Sequence, residues 1–177
     1  TTEDTAIEVA ISSVSGGVVV AWDEDPGFLG NANVKAQMYD PDGNPLWTAG
    51  GVNVVTAPDA QTIPKVVASD TGSVVVWKDF RSGADYDVYA QRLNASGVPQ
   101  WTANGEIVSD AAGDQGEQFD IATDNGAGVV VAWKDTRSDG SGDVYAQRLS
   151  SAGAPMWTAD GLVVANRAGF AEDQPRA

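Results

Sequence analysis

The residues best suited to chemistry are two charged triples, Asp79, Arg81 and Asp87, and Asp135, Arg137 and Asp143. Each sets two carboxylates and a guanidinium around one polar loop, a combination able to grip sugar hydroxyls. The same spacing has a structural use, because an Asp and an Arg two residues apart lie on one side of an extended chain and can pin a loop by bidentate pairing. The structural use is the first reading and a repeated ligand pocket the second. Lys78 and Lys134, beside these residues, are expected to face solvent.

Oxygen ligands are plentiful at Asp23-Glu24-Asp25 and from Asp139 to Asp143. Calcium takes such all-oxygen sets, so Asp23, Asp25, Asp139 and Asp143 are the candidate ligands of a metal; no other cofactor is expected. The turn Asp40-Pro41-Asp42-Gly43 is similar to a calcium loop and to the Asp-box turn of sialidase-like propellers. Its acidic positions become Asn94 and Ser96, then Ser150 and Ala152, while Gly43, Gly97 and Gly153 persist. What recurs is therefore turn chemistry. A carboxylate glycosidase needs only two acids about 5–9.5 Å apart, but no acidic pair is set apart by position, and symmetry is broken only over Asp23 to Ala32, where Asp25 is the acid to test.

Other chemistries are closed by composition. The chain has no Cys and no His, which removes thiol nucleophiles, thiolate and imidazole ligands and Ser-His-Asp catalysis. Twenty-five acidic against ten basic residues give a net charge of −15. That surface repels nucleic acid phosphates and anionic membranes, and no apolar run is long enough to span a bilayer as a helix.

The elements that must position these residues recur. Trp22, Trp77 and Trp133, then Gln37, Gln91 and Gln147, then Trp47, Trp101 and Trp157 follow one another at spacings of 54–56 residues. In the third copy, Phe119–Thr123, Val129–Trp133, Asp143–Leu149 and Met156–Ala165 read as strands. The second gives Pro64–Ser69, Ser73–Trp77, Asp87–Leu93 and a strand from Trp101 to Val108; the first gives Ala6–Ser12, Val18–Trp22, Asn33–Tyr39 and Leu46–Val55, broken near Gly50-Gly51. The VVVAW-type strands are apolar at every position and are expected to be covered on both faces. The three Gln are expected to bond a neighbouring unit's backbone, and Arg92 and Arg148 to stack on Trp.

Four antiparallel strands per period, two recurring Trp and Gly-rich turns predict an all-β chain of three four-stranded antiparallel blades in a β-propeller-like array. The blades span 1–59, 60–113 and 114–169, and 170–177 is a stub whose Asp173-Gln174 matches Asp114-Gln115, the approach to a further blade. Trp22, Trp77 and Trp133 are expected to supply the large contacts between blades. Three blades do not close, so the ring is expected to be completed by oligomerisation, with two copies giving six blades or three giving nine, or by further chain.

The segments VVVWKDFRSGADYDVYAQRLNASGVPQWTANG and VVVAWKDTRSDGSGDVYAQRLSSAGAPMWTADG resemble a repeat of large secreted or surface bacterial proteins of mostly unassigned function, whose copies are thought to be propeller-like blades. The first copy departs from it, with Asp23-Glu24-Asp25 for KDTR and KAQMY for YAQRL. The expectation is a non-catalytic extracellular or cell-surface scaffold or adhesion module. A carbohydrate-binding lectin with sites at Asp79-Arg81 and Asp135-Arg137 is one alternative, and a carboxylate glycoside hydrolase the other. The partners implied are other copies or further blades, and a glycan for the lectin.

Overall fold

A computed structural model describes residues 3–11, 17–25, 30–69, 71–124, 126–138 and 142–166. Ser12 of the expected first strand, residues 26–29 of the stretch that breaks the symmetry, Asp139 and the stub 170–177 lie outside the described residues.

The described chain is all-β and forms three four-stranded antiparallel meanders. The first sheet holds β1 (Glu3–Ile11), β2 (Val18–Asp25), β3 (Asn33–Tyr39) and β4 (Val52–Asn53). The second holds β5 (Gln61–Ser69), β6 (Gly72–Asp79), β7 (Asp87–Asn94) and β8 (Glu106–Ser109). The third holds β9 (Gln115–Thr123), β10 (Val129–Asp135), β11 (Asp143–Leu149) and β12 (Leu162–Ala165). Val-rich and Tyr-containing runs favour pleated backbone, and short Asx turns reverse it. Asp40 Oδ1, for instance, accepts from the backbone N–H of Asp42 and Asn44, and Gly43 supplies the positive φ of 83° that closes the turn.

The fourth strands are shorter than the sequence predicts. Leu46–Val55, Trp101–Val108 and Met156–Ala165 each begin as one bridge, at Pro45, Pro99 and Pro155. A turn follows before two to four residues pair as β4, β8 and β12. A side chain causes the interruption. Oε1 of Gln37, Gln91 and Gln147 accepts the backbone N–H of Trp47, Trp101 and Trp157 at 3.0, 2.9 and 3.0 Å, while Nε2 donates to the carbonyls of Thr48, Thr102 and Thr158. These buried amides thus bond within their own sheet, and the expectation that they reach a neighbour is corrected.

Sheets pack in chain order. β5 lies against β1 and β2, and β9 against β5, β6 and β7. One apolar cluster joins the first two sheets, with Val19, Val34, Ala36 and Met38 meeting Val75, Trp77, Tyr89 and Leu93. Another joins the second and third, with Val74, Val76, Val88 and Ala90 meeting Phe119, Val129, Val131 and Trp133. Strand β6 therefore buries both faces, Val75 and Trp77 one way and Val74 and Val76 the other. β2 and β10 alternate buried and half-buried positions because each has a neighbour on one side only. Coverage on both faces, expected for all three strands, is realised in β6 alone.

Candidate functional site

The charged triples sit at one end of β6 and β7 and of β10 and β11. Asp79 pairs across the ladder with Asp87, and Asp135 with Asp143. Asp79 is fully buried beneath Arg81, whose Nε donates to Oδ1 at 2.9 Å and whose NH2 donates to Oδ2 at 2.5 Å. The Arg81 backbone N–H donates to the same Oδ1 at 2.9 Å, which closes the loop as the bidentate reading requires. Asp79 Oδ2 also accepts the Trp77 indole N–H at 2.7 Å. The guanidinium then lies 3.8 Å above the Tyr89 ring and donates to the Asn104 carbonyl at 2.9 Å. Such stacking is a role Lys fills poorly.

The third sheet repeats this lock with one change. Trp133 donates to Asp135 at 2.8 Å, Arg137 NH2 donates to Asp135 Oδ2 at 2.5 Å, and its guanidinium lies 4.0 Å over Tyr145. Among the described residues Arg137 Nε has no hydrogen-bond partner, so this pair is not bidentate; its NH2 instead reaches Ser109 Oγ of the second sheet at 3.0 Å and the Asp160 carbonyl at 2.8 Å. Among the described residues the first sheet shows no such lock, since Lys35 stands opposite Trp22 and pairs with Glu24 at 2.9 Å. That is the departure KAQMY foreshadows.

Asp87 and Asp143 differ in partners. Asp143 Oδ2 accepts from Ser138 Oγ and from Asn166 Nδ2. Asp87 is 4% exposed, and burial pushes its carboxyl up to about 7, helped by the charges of Asp85, Asp110 and Asp79 and opposed by Arg81. Burial also raises Asp110, as does its contact with Asp160. Asp85 is committed elsewhere, its Oδ2 accepting the Gly113 N–H at 2.7 Å, while Asp114 Oδ1 accepts that of Tyr86 at 3.0 Å. These two bonds tie the loop after Arg81 to the approach of β9.

The described metal candidates lie on two sheets, Asp23 and Asp25 both on β2 and Asp143 on β11. Asp23 is buried and its Oδ2 accepts the Ile63 N–H of the second sheet at 3.0 Å, whereas Asp25 accepts the Gly30 N–H at 2.8 Å.

Two solvent expectations are corrected. Lys78 is half-buried with its Nζ 3.8 Å over the Tyr86 ring, and burial lowers its pKa against the pull of Asp114 and Glu117. Lys134 pairs with Glu117 at 3.0 Å. Arg92 and Arg148 do not stack on Trp: they donate to Thr71 and, at 3.0 Å, to Asp124. The arginine cation–π contacts fall to Arg81 and Arg137 on Tyr, a pairing signalled by the Tyr two residues before Gln91 and Gln147.

The six Trp divide into two sets. Trp77 and Trp133 are fully buried between sheets, while Trp22, on the outer face of the first sheet, is half-buried. Trp47 donates its indole N–H to the Ala95 carbonyl of the next sheet's turn at 3.0 Å, and Trp101 does so to Ser151 at 3.0 Å. Asn104 and Asp160 work in the opposite direction, each accepting a backbone N–H from the preceding sheet, that of Thr56 at 3.0 Å and of Asp110 at 3.1 Å. Both adopt positive φ, 66° and 58°, and their place before Gly in TANG and TADG is the signal for them. Between the first two sheets a groove of about 360 Å³ is lined by Asn53, Thr56, Trp101 and Asn104 among others.

Among the described residues no helix is long and apolar enough to cross a membrane. No family model matches the chain, and no curated protein matches it.

Proposed function

We propose that the three sheets are consecutive blades of a β-propeller-like array and that the chain serves as a non-catalytic extracellular or cell-surface scaffold or adhesion module. One observation carries this reading: the recurring charged groups spend their hydrogen bonds inside the fold, in Trp–Asp–Arg–Tyr locks, while the surfaces left open are broad sheet faces. The order of packing, first strand beside first strand, supports the blade arrangement. The likeness of the repeated segments to bacterial surface repeats supports the location.

The test is a panel of aryl glycosides and oligosaccharides offered to the chain. The scaffold reading expects no turnover. Turnover abolished by Asp87→Asn or Asp25→Asn would replace it with the carboxylate hydrolase.

Carbohydrate binding is the second reading, favoured by the groove that sets the Trp101 ring beside the amides of Asn53 and Asn104. An aromatic platform with side-chain amides suits a sugar ring. Glycan-array signal lost on Asn53→Ala would establish it there, whereas signal lost on Arg81→Ala with folding intact would place the site at the charged triple.

A further inference from the structure

The two internal junctions are built alike. At the first, the Trp47 ring packs on the turn of the second sheet so closely that a Cβ on Gly97 would sit 2.7 Å from it, and the indole donates to the carbonyl of Ala95. At the second, Trp101 packs on Gly153 in the same way, a Cβ there meeting the ring at 3.0 Å, and donates to Ser151. Beside each Trp a Val closes the seam, Val54 at 3% and Val108 at 1% exposure.

Each half of this junction occurs once more, and among the described residues nothing is seated on it. On the third sheet Trp157 is held by Gln147 as its counterparts are, yet it is 38% exposed, and among the described residues its indole N–H has no acceptor. Val164, the counterpart of Val54 and Val108, is 59% exposed, and Met156 and Val163 continue the apolar surface. On the first sheet the turn Asp40–Asn44 is shaped like the turns that receive Trp47 and Trp101, with the same Asx bonds and a Gly at φ 83°. A Cβ on Gly43 would find nothing within 4 Å.

We propose that these two halves meet between copies: Trp157 of one chain seats on the Asp40–Asn44 turn of a second, donating to the Pro41 carbonyl, and the reverse junction closes the pair. The proposal rests on reading the sheets as blades. A surface that fits a different surface of the same molecule is heterologous and forms a ring where the rotation closes. Two copies give six sheets, within the four to eight of closed propellers, and three copies do not. The occupant is a second copy because the same chain presents the receiving turn and repeats the chemistry of both internal seams, whereas an unrelated partner has no reason to match Gly43 and Pro41.

The test is light scattering of the full chain over a concentration series, with small-angle scattering on the same samples. The expected mass is twice 18.3 kDa. Val164→Glu, a change at an exposed position, is expected to give monomers of unchanged circular dichroism. Trp157→Phe, which removes only the donor, is expected to weaken association roughly 3- to 10-fold. A dimer indifferent to both substitutions overturns the proposal. So does a wild-type monomer at all concentrations: if its scattering fits the three-sheet arc, the scaffold reading survives, and if it does not fit, both fall.

Discussion

The indole N–H of Trp77 donates to Asp79 Oδ2 at 2.7 Å, in a position where both residues are wholly buried. One carboxylate thereby satisfies the polar edge of a core aromatic ring and, on its other flank, a guanidinium. Asp79→Ala leaves Arg81 and the Trp77 N–H without their partner and is expected to cost about 3–5 kcal/mol. Arg81→Lys keeps the charge but loses the fork and the Tyr89 stack, and a loss of roughly 1.5–3 kcal/mol is expected. Urea unfolding monitored by far-UV circular dichroism measures both; a change below 0.5 kcal/mol, about the scale of a surface substitution, in either variant contradicts the lock.

Trp77 and Trp22 occupy equivalent positions in sheets with different neighbours. Removing a ring sealed between sheets, as in Trp77→Ala or Trp133→Ala, is expected to cost about 3–5 kcal/mol. Trp22→Ala, on the outer face, is expected to cost the isolated chain clearly less. Equal losses in the same unfolding assay would mean that the first sheet's outer face is packed as tightly as the seams.

Asp87 gives the protein a pH dependence of definite sign. Below its ordinary value of 3.8 the carboxyl is protonated in native and unfolded chains alike; between there and about 7 the unfolded chain has released its proton while the native chain holds it. Stability contributed by this group therefore falls as pH rises from about 4 to 7 and levels off above, by at most on the order of 2–4 kcal/mol. Asp87→Asn is expected to flatten that slope and to be more stable than wild type at pH 8. Parallel pH profiles for the two proteins would show that Asp87 is ionised and accommodated at neutral pH.

Gly105 has a close approach behind it. Its φ is 94°, and a Cβ would lie 2.5 Å from Trp77 Cη2 and 2.8 Å from the Ala90 carbonyl oxygen. Gly105→Ala is expected to cost roughly 2–4 kcal/mol. Gly83→Ala, also at positive φ but with nothing within 4 Å, is expected to cost about 1 kcal/mol. Thermal midpoints separate the two, and similar shifts would mean that backbone strain alone matters at Gly105.

The strands were legible where the pattern alone determines them. Asn33–Tyr39 and Asp143–Leu149 end where Asx turns and loops dictate, and the structure has them at those bounds. The fourth strands were not, because Gln37, Gln91 and Gln147 replace ladder bonds by side-chain bonds, and an amide's target cannot be read from periodicity. The charged triples were legible as an Asp–Arg pin, but the Tyr beneath each Arg and the Trp beside each Asp were not. Those contacts follow from cross-strand register, Trp77 opposite Tyr89 and Trp133 opposite Tyr145, which is set by the whole hairpin. Lys78 departs from expectation for the same reason: its polar head implies solvent, while the Tyr86 ring that covers it arrives from a loop eight residues away.

Trp–Asp locks within sheets and Trp-to-turn bonds between them make three small sheets one body. Indole hydrogen exchange in protein labelled with nitrogen-15 at Trp tests it most directly, since each of the six Trp reports its own site. The indoles of Trp77 and Trp133, bonded to Asp79 and Asp135, and those of Trp47 and Trp101, bonded across the two seams, are expected to exchange slowly. Slow exchange at Trp77 and Trp133 with fast exchange at Trp47 and Trp101 would show sheets that fold singly without being joined through these bonds, and would contradict the account.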